Sequence, residues 1–187
     1  MIDTLGPAFL VPRIEAVFAH FATLLQEKTA SQRIYLEQNA IIVGVEAANT
    51  HPLATSAMDT LGSLITAMGA NPSFLPFYQQ AWQSSLAFFS LWNAPDDLIS
   101  CYALASTLLE TFGPDAGFVV DAVLKMVPDT ARSPKEFCRA NSFYALNLIM
   151  KHFPAAFASY LDMAAKVLEA GLAGMPGDVG AGSGSKE

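Results

Sequence analysis

The chain has 187 residues, 52% of them hydrophobic and only 14% charged, with a formal net charge of −7. Apolar content on this scale excludes a disordered chain, and 10 basic residues against 17 acidic ones argue against a nucleic-acid binder. Two cysteines, Cys101 and Cys138, cannot staple a chain this long and read as small buried apolar residues.

So apolar a chain is either membrane-embedded or made to pack against more protein. A spanning helix needs roughly 20 consecutive apolar residues. The most apolar stretch, Phe74 to Trp92, is interrupted by Gln79, Gln80, Gln83, Ser84 and Ser85. The opening Met1-Ile2-Asp3-Thr4 lacks the basic-then-apolar pattern of a secretory signal. The expected location is cytoplasm and nucleus, with no membrane partner.

Apolar positions recur at helical spacing from one end to the other. Between Phe9 and Glu27 the stripe is Leu10, Ile14, Val17, Phe18, Phe21, Leu24 and Leu25. Residues 31–48 form a second helix, capped by Ser31, with Ile34, Ile41, Ile42 and Val45 inward. The third runs from Leu53 to Met68 on Met58, Leu61, Leu64, Ile65 and Met68, and the fourth from Phe74 to near Leu91. Asp96 caps a fifth that reaches Phe112, with Leu98, Tyr102, Ala105, Leu108 and Leu109 inward. A shorter helix spans Gly117 to Val127. Ser133 caps and Pro134 opens the next, which reaches Phe153, and a last one runs from Ala155 to Ala173. Nothing alternates with period two, so the fold is all-α with about eight helices. Breaks such as Gly69-Ala70-Asn71-Pro72, Asn93-Ala94-Pro95-Asp96, Gly113-Pro114-Asp115 and Val127-Pro128-Asp129 are short, which favours antiparallel neighbours. Residues 173–187 read as a flexible Gly/Ser-rich tail.

The breaks repeat. Shifted by 44 positions, Leu64, Ile65, Met68 and Gly69 fall on Leu108, Leu109, Phe112 and Gly113, and Phe74-Leu75 falls on Phe118-Val119. A third copy is expected at a shift near 42, where Tyr102-Ala103-Leu104 matches Tyr144-Ala145-Leu146. A half-copy opens the chain at Leu5-Gly6-Pro7-Ala8-Phe9-Leu10. A two-helix unit of about 40 to 47 residues is the period of HEAT and armadillo solenoids.

Glu136-Phe137-Cys138-Arg139-Ala140-Asn141-Ser142-Phe143-Tyr144-Ala145-Leu146 resembles the second helix of a HEAT repeat, and Asn93-Ala94-Pro95-Asp96-Asp97-Leu98 is similar to the Asp-rich turn before such a helix. With its Gly-Pro-x-Phe-like turns, the chain resembles the importin-β (karyopherin-β) superfamily of nuclear transport receptors across about residues 5 to 172. The unit around Leu98 departs from that pattern, with Ser100 near the Arg position. The resemblance implies an all-α superhelix of three to four antiparallel helix pairs, a piece of a longer solenoid over residues 1–172. It implies a scaffold that carries cargo into the nucleus, with basic cargo peptides, a Ran-type GTPase and Phe-Gly nucleoporins as protein partners. The alternatives are a HEAT scaffold of a phosphatase or chromosome-organising complex, and a helical enzyme domain with an unrecognised site.

Chemistry-bearing motifs are missing from the sequence. His20, His51 and His152 stand apart from each other and from the cysteines, and no Walker loop, dinucleotide fingerprint or nucleophile elbow occurs. No catalytic, metal or cofactor residue is assigned. Binding is expected to lie on the surface of the second helices, which carry Asp59, Asp96, Asp97, Glu110 and Glu136. Gathered on one face they would draw basic peptides; scattered, they are a solvated face. Of the aromatic stripe Phe74, Phe77, Tyr78, Trp82, Phe88, Phe89 and Trp92, most are expected in the core, with Trp82 and Trp92 as candidate contact residues. Arg139 is expected to bridge to an acid one repeat away. As part of a solenoid, the chain should expose apolar residues at its ends: Phe9, Phe18 and Phe21 at one, Tyr160, Leu161, Val167 and Leu168 at the other.

Overall fold

A computed structural model describes residues 9, 11–26, 52–86, 95–131, 133–162, 165, 166 and 169. Among these the regular structure is entirely helical. A 3-10 turn, Val11–Arg13, leads into α1 (Ile14–Leu25). Then come α2 (Pro52–Met68), a 3-10 turn at Pro72–Phe74, α3 (Leu75–Leu86), α4 (Pro95–Phe112), a 3-10 segment at Gly113–Val119, α5 (Val120–Thr130), α6 (Glu136–His152) and α7 (Pro154–Ala158). The expected helix over 31–48 lies outside the described residues.

The punctuation acts through identifiable groups. Gly69 and Gly113 follow α2 and α4 with φ of 66° and 54°, the left-handed region where a Cβ would be strained. Asn71 then accepts a hydrogen bond from the Ser73 backbone N–H at 3.0 Å, and Ser133 accepts one from Lys135 at 3.2 Å ahead of α6. Pro128, expected to end a helix, sits inside α5, which continues to Thr130. It falls in the last turn of the helix.

α2, α4 and α6 pack side by side in a row, α2 on α4 and α4 on α6. α1 packs against α2 and α3, α5 against α4 and α6, and α7 against α6. Tyr78, early in α3, meets Phe112 at the end of α4 with ring centroids 5.8 Å apart. Tyr102, in the first half of α4, donates to the Thr130 hydroxyl at the end of α5, 2.6 Å away. Both contacts fit antiparallel neighbours. Along α4 and α6, Glu110 reaches Tyr144 and the later Gly113 faces the later His152, so these two run in the same sense.

Burial follows a register. The buried positions of α2, namely Ala57, Met58, Leu61, Leu64, Ile65 and Met68, recur 44 positions on as Cys101, Tyr102, Ala105, Leu108, Leu109 and Phe112. A Cβ on Gly62 would stand 3.8 Å from Thr107 Oγ1, which puts nearly equivalent heights of α2 and α4 together. The third copy differs from expectation. Tyr102 is fully buried while Tyr144 is 46% exposed, so the shift of 42 does not align equivalent positions. The burial of α6 follows α4 at 37 positions instead: Cys101, Ala105, Leu108, Leu109 and Phe112 correspond to Cys138, Ser142, Ala145, Leu146 and Ile149. Residue likeness misled because Tyr-Ala-Leu is matched equally well by a helix rotated partway around its axis.

The aromatic core gathers where α1 meets α3. Phe18 packs edge-on to Tyr78 at 5.1 Å and lies 5.4 Å from Phe77. Phe18 is therefore buried and not part of an exposed end, while Phe9 and Leu161 are exposed as expected, at 43% and 53%. Phe21 and Tyr160 are half-buried; Val167 and Leu168 lie outside the described side chains. No described helix is long and apolar enough to cross a membrane.

Candidate protein-binding site

Three of the expected acids are surface groups of the helix row. Asp59 on α2, Glu110 on α4 and Glu136 at the start of α6 are all exposed. Asp59 lies one turn before Gly62, which opposes Thr107, and Glu110 lies one turn beyond Thr107. Helical spacing thus puts Asp59 and Glu110 on the same open face, one that spans α2 and α4. The side chains of Asp96 and Asp97 lie outside the described residues, although their backbone belongs to the first turn of α4.

Glu110 also accepts a hydrogen bond from the Tyr144 hydroxyl, which ties the open face of α4 to that of α6. Donating this hydrogen bond to a carboxylate favours the neutral phenol, so Tyr144 keeps its proton to higher pH than an ordinary tyrosine, with smaller pushes from desolvation and the Glu110 charge. On α6, Phe137 is 76% exposed and stands seven residues before Tyr144, hence on the same face. Phe137 and Tyr144 were missed as site residues because they were read as parts of a helix signature. Their separation of two turns from each other, and their offset from the buried Cys138 and Ala145, is the sequence signal that marks them as surface residues.

Trp82 requires a correction. It is fully buried in α3, so no partner reaches it; large aromatics at helical spacing went to the core, with Phe74 and Tyr78 beside it. Trp92 lies outside the described residues. The Arg139 guanidinium donates to the Ser133 carbonyl at 2.7 Å and so ties down the turn before α6. Cys101 and Cys138 are both fully buried, and burial pushes the Cys101 thiol well above its ordinary pKa. No cluster of potential metal ligands occurs among the described residues.

A groove lies elsewhere on the surface. Leu86 at the end of α3, Phe118, and Ala122 and Met126 of α5 line a groove of about 410 Å³. Its rim carries Asp121 and Lys125, an exposed ion pair at 3.5 Å, which adds little energy there.

The described residues thus offer a two-acid face joined to exposed aromatics, and an apolar groove with a charged rim. No family model matches the chain, and no curated protein or solved structure is significantly similar to it.

Proposed function

We propose that this chain is a protein-binding helical-repeat scaffold, a stretch of HEAT-type α-solenoid of the importin-β kind that takes part in carrying cargo into the nucleus. One observation carries the reading: α2, α4 and α6 form a row whose burial recurs every 44 and then 37 positions, with Tyr78 of α3 touching Phe112 and Thr130 of α5 touching Tyr102 of α4. A solenoid is built in this way, because each helix pair buries its apolar faces against the pairs on either side. The distribution of surface apolar groups supports it. Among the described residues the large exposed hydrophobics are Phe9, Val11 and Leu53 at one end of the row and Phe137, Tyr144, Met150 and Leu161 at the other, with none on α3, α4 or α5.

In this reading Asp59, Glu110 and Glu136 set an attractive field for basic cargo peptides, and Phe137 supplies apolar contact beside them. The groove between α3 and α5 is of a size and polarity to take a Phe side chain of a Phe-Gly repeat. A capture experiment with basic localisation peptides, the GTP-loaded Ran-type GTPase and Phe-Gly repeats tests it. Retention of the peptides that weakens with salt and is lost in an Asp59→Asn, Glu110→Gln double variant is expected. Failure to retain any of the three ends the transport reading. Capture of phosphatase or chromosome-organising subunits instead would favour the other scaffold assignment.

A further inference from the structure

We propose that Glu110 and Tyr144 together form a seat for an arginine side chain, so that this face binds arginine in preference to lysine. The inference rests on the protein-binding reading above and names the partner residue that the face recognises. It starts from a carboxylate whose contact is neutral. Glu110 is exposed near the end of α4 and accepts a hydrogen bond from the Tyr144 hydroxyl of α6. A phenol donor orients the carboxylate and leaves its negative charge in place.

The tyrosine is as unusual in its setting as the acid. Among the described residues Tyr78 and Tyr102 are buried and Tyr160 is half-buried, whereas Tyr144 is exposed. Phe137, seven residues earlier on the same stripe of α6, is exposed too, about 10 Å away along the helix. Between them Asn141 is half-buried and turned back on its own helix, its amide donating to the Phe137 carbonyl at 2.8 Å. The stripe therefore presents two aromatic side chains, one of them joined to a carboxylate.

This combination selects a ligand chemistry. A purely apolar partner would strip water from Glu110 and return nothing for its charge. An anion would be repelled. A cation suits the carboxylate, and the aromatic ring decides which cation. A guanidinium is planar and weakly hydrated, so it can lie on the Tyr144 ring while its N–H groups reach the adjoining carboxylate. A lysine ammonium is a compact, strongly hydrated point charge that gains less from a ring. The surrounding charges set the direction of approach. Asp59 lies on the same open face, and Glu136 stands beside Phe137. Lys151, exposed two turns beyond Tyr144 on the same stripe, opposes a cation from the other end. The partner chain is therefore expected to run from the arginine toward Phe137, where its neighbouring residues find an apolar surface.

Titration of the full chain with two peptides of equal length and charge, one carrying arginines and the other lysines at the same places, tests this. The arginine peptide is expected to bind about threefold to fivefold more tightly. Tyr144→Leu, which removes the ring, should level the two peptides; Tyr144→Phe, which keeps it, should retain the preference. Glu110→Gln should weaken the arginine peptide. Helical circular dichroism and Tm show whether each variant is folded, and Tyr144→Met repeats the ring removal if Tyr144→Leu is not. Equal binding of the two peptides by the wild-type chain overturns the proposal and leaves the scaffold reading standing. So does a preference that survives removal of the ring, one that is lost in Tyr144→Phe, or an arginine peptide that Glu110→Gln binds as tightly as before. Binding of neither peptide overturns both this proposal and the basic-cargo reading.

Discussion

α4 and α6 lie side by side in the same row, yet they stand in different surroundings. α4 has α2 on one side and α6 on the other, and it buries Ser100, Leu104 and Ser106 in addition to its inward stripe. α6 has a row neighbour on one side among the described residues, and it leaves Phe137, Tyr144 and Met150 partly or largely in water. The tyrosines make the contrast plain. Tyr102 is enclosed and donates to Thr130, whose own hydroxyl donates to the Met126 carbonyl. Tyr144 is at the surface with Glu110. The same residue types thus act as structure in the middle of the row and as surface at its end, and position in the row decides which.

Truncation should expose this contrast most strongly. Leu109→Ala in α4 empties a fully buried site and is expected to cost about 3 kcal/mol by denaturant unfolding, whereas Met150→Ala in α6 should cost less than about 1 kcal/mol. Equal losses would mean that α6 is covered in solution. Next, Tyr102→Phe leaves the Thr130 hydroxyl without its buried donor and should cost about 1 kcal/mol, while Tyr144→Phe should change stability by less. Gly113→Ala probes the turn after α4. The left-handed φ of 54° should make it destabilising by about 1 kcal/mol, even though a Cβ there would sit at an ordinary 3.5 Å from His152 Nδ1.

The pH dependence sharpens the same comparison. Burial raises the pKa of Tyr78 and of Tyr102, and both rise above the unfolded value. Their stabilising effect is complete below the ordinary tyrosine pKa and is lost above it, because the unfolded chain releases protons that the native chain retains. Stability should therefore fall as pH rises beyond about 10, and Tyr102→Phe should flatten that fall while Tyr144→Phe changes it less. The smallest native-state signal is expected from thiol reagents. Both cysteines are fully buried, so labelling should wait for unfolding, and rapid labelling of the folded protein would contradict the enclosed middle of the row.

Much of the fold is legible in the residues. Period-3.6 stripes place α1, α2, α4 and α6 to within a few residues, because amphipathic spacing and Gly or Pro punctuation are local properties. Gly69 and Gly113 were recognisable as helix ends, and both proved to have the left-handed backbone that favours glycine. The site was less legible. Asp59, Glu110 and Glu136 are exposed acids, since carboxylates are drawn to water. Trp82 was misread and Phe137 and Tyr144 were missed, because aromatic residues serve core and surface equally well and only the neighbours decide between them.

By itself the sequence determined an all-helical chain, where its helices break, and which stripe of each turns inward, since these follow from hydrogen bonding and periodicity within a few turns. Only the tertiary structure decided that the third unit follows the second at 37 positions and not 42. It alone brought Glu110 to Tyr144, buried Trp82 and left the apolar surface at the two ends of the row. Those outcomes depend on how far each helix turns and slides against its neighbours, and the packing of side chains from distant parts of the chain fixes that.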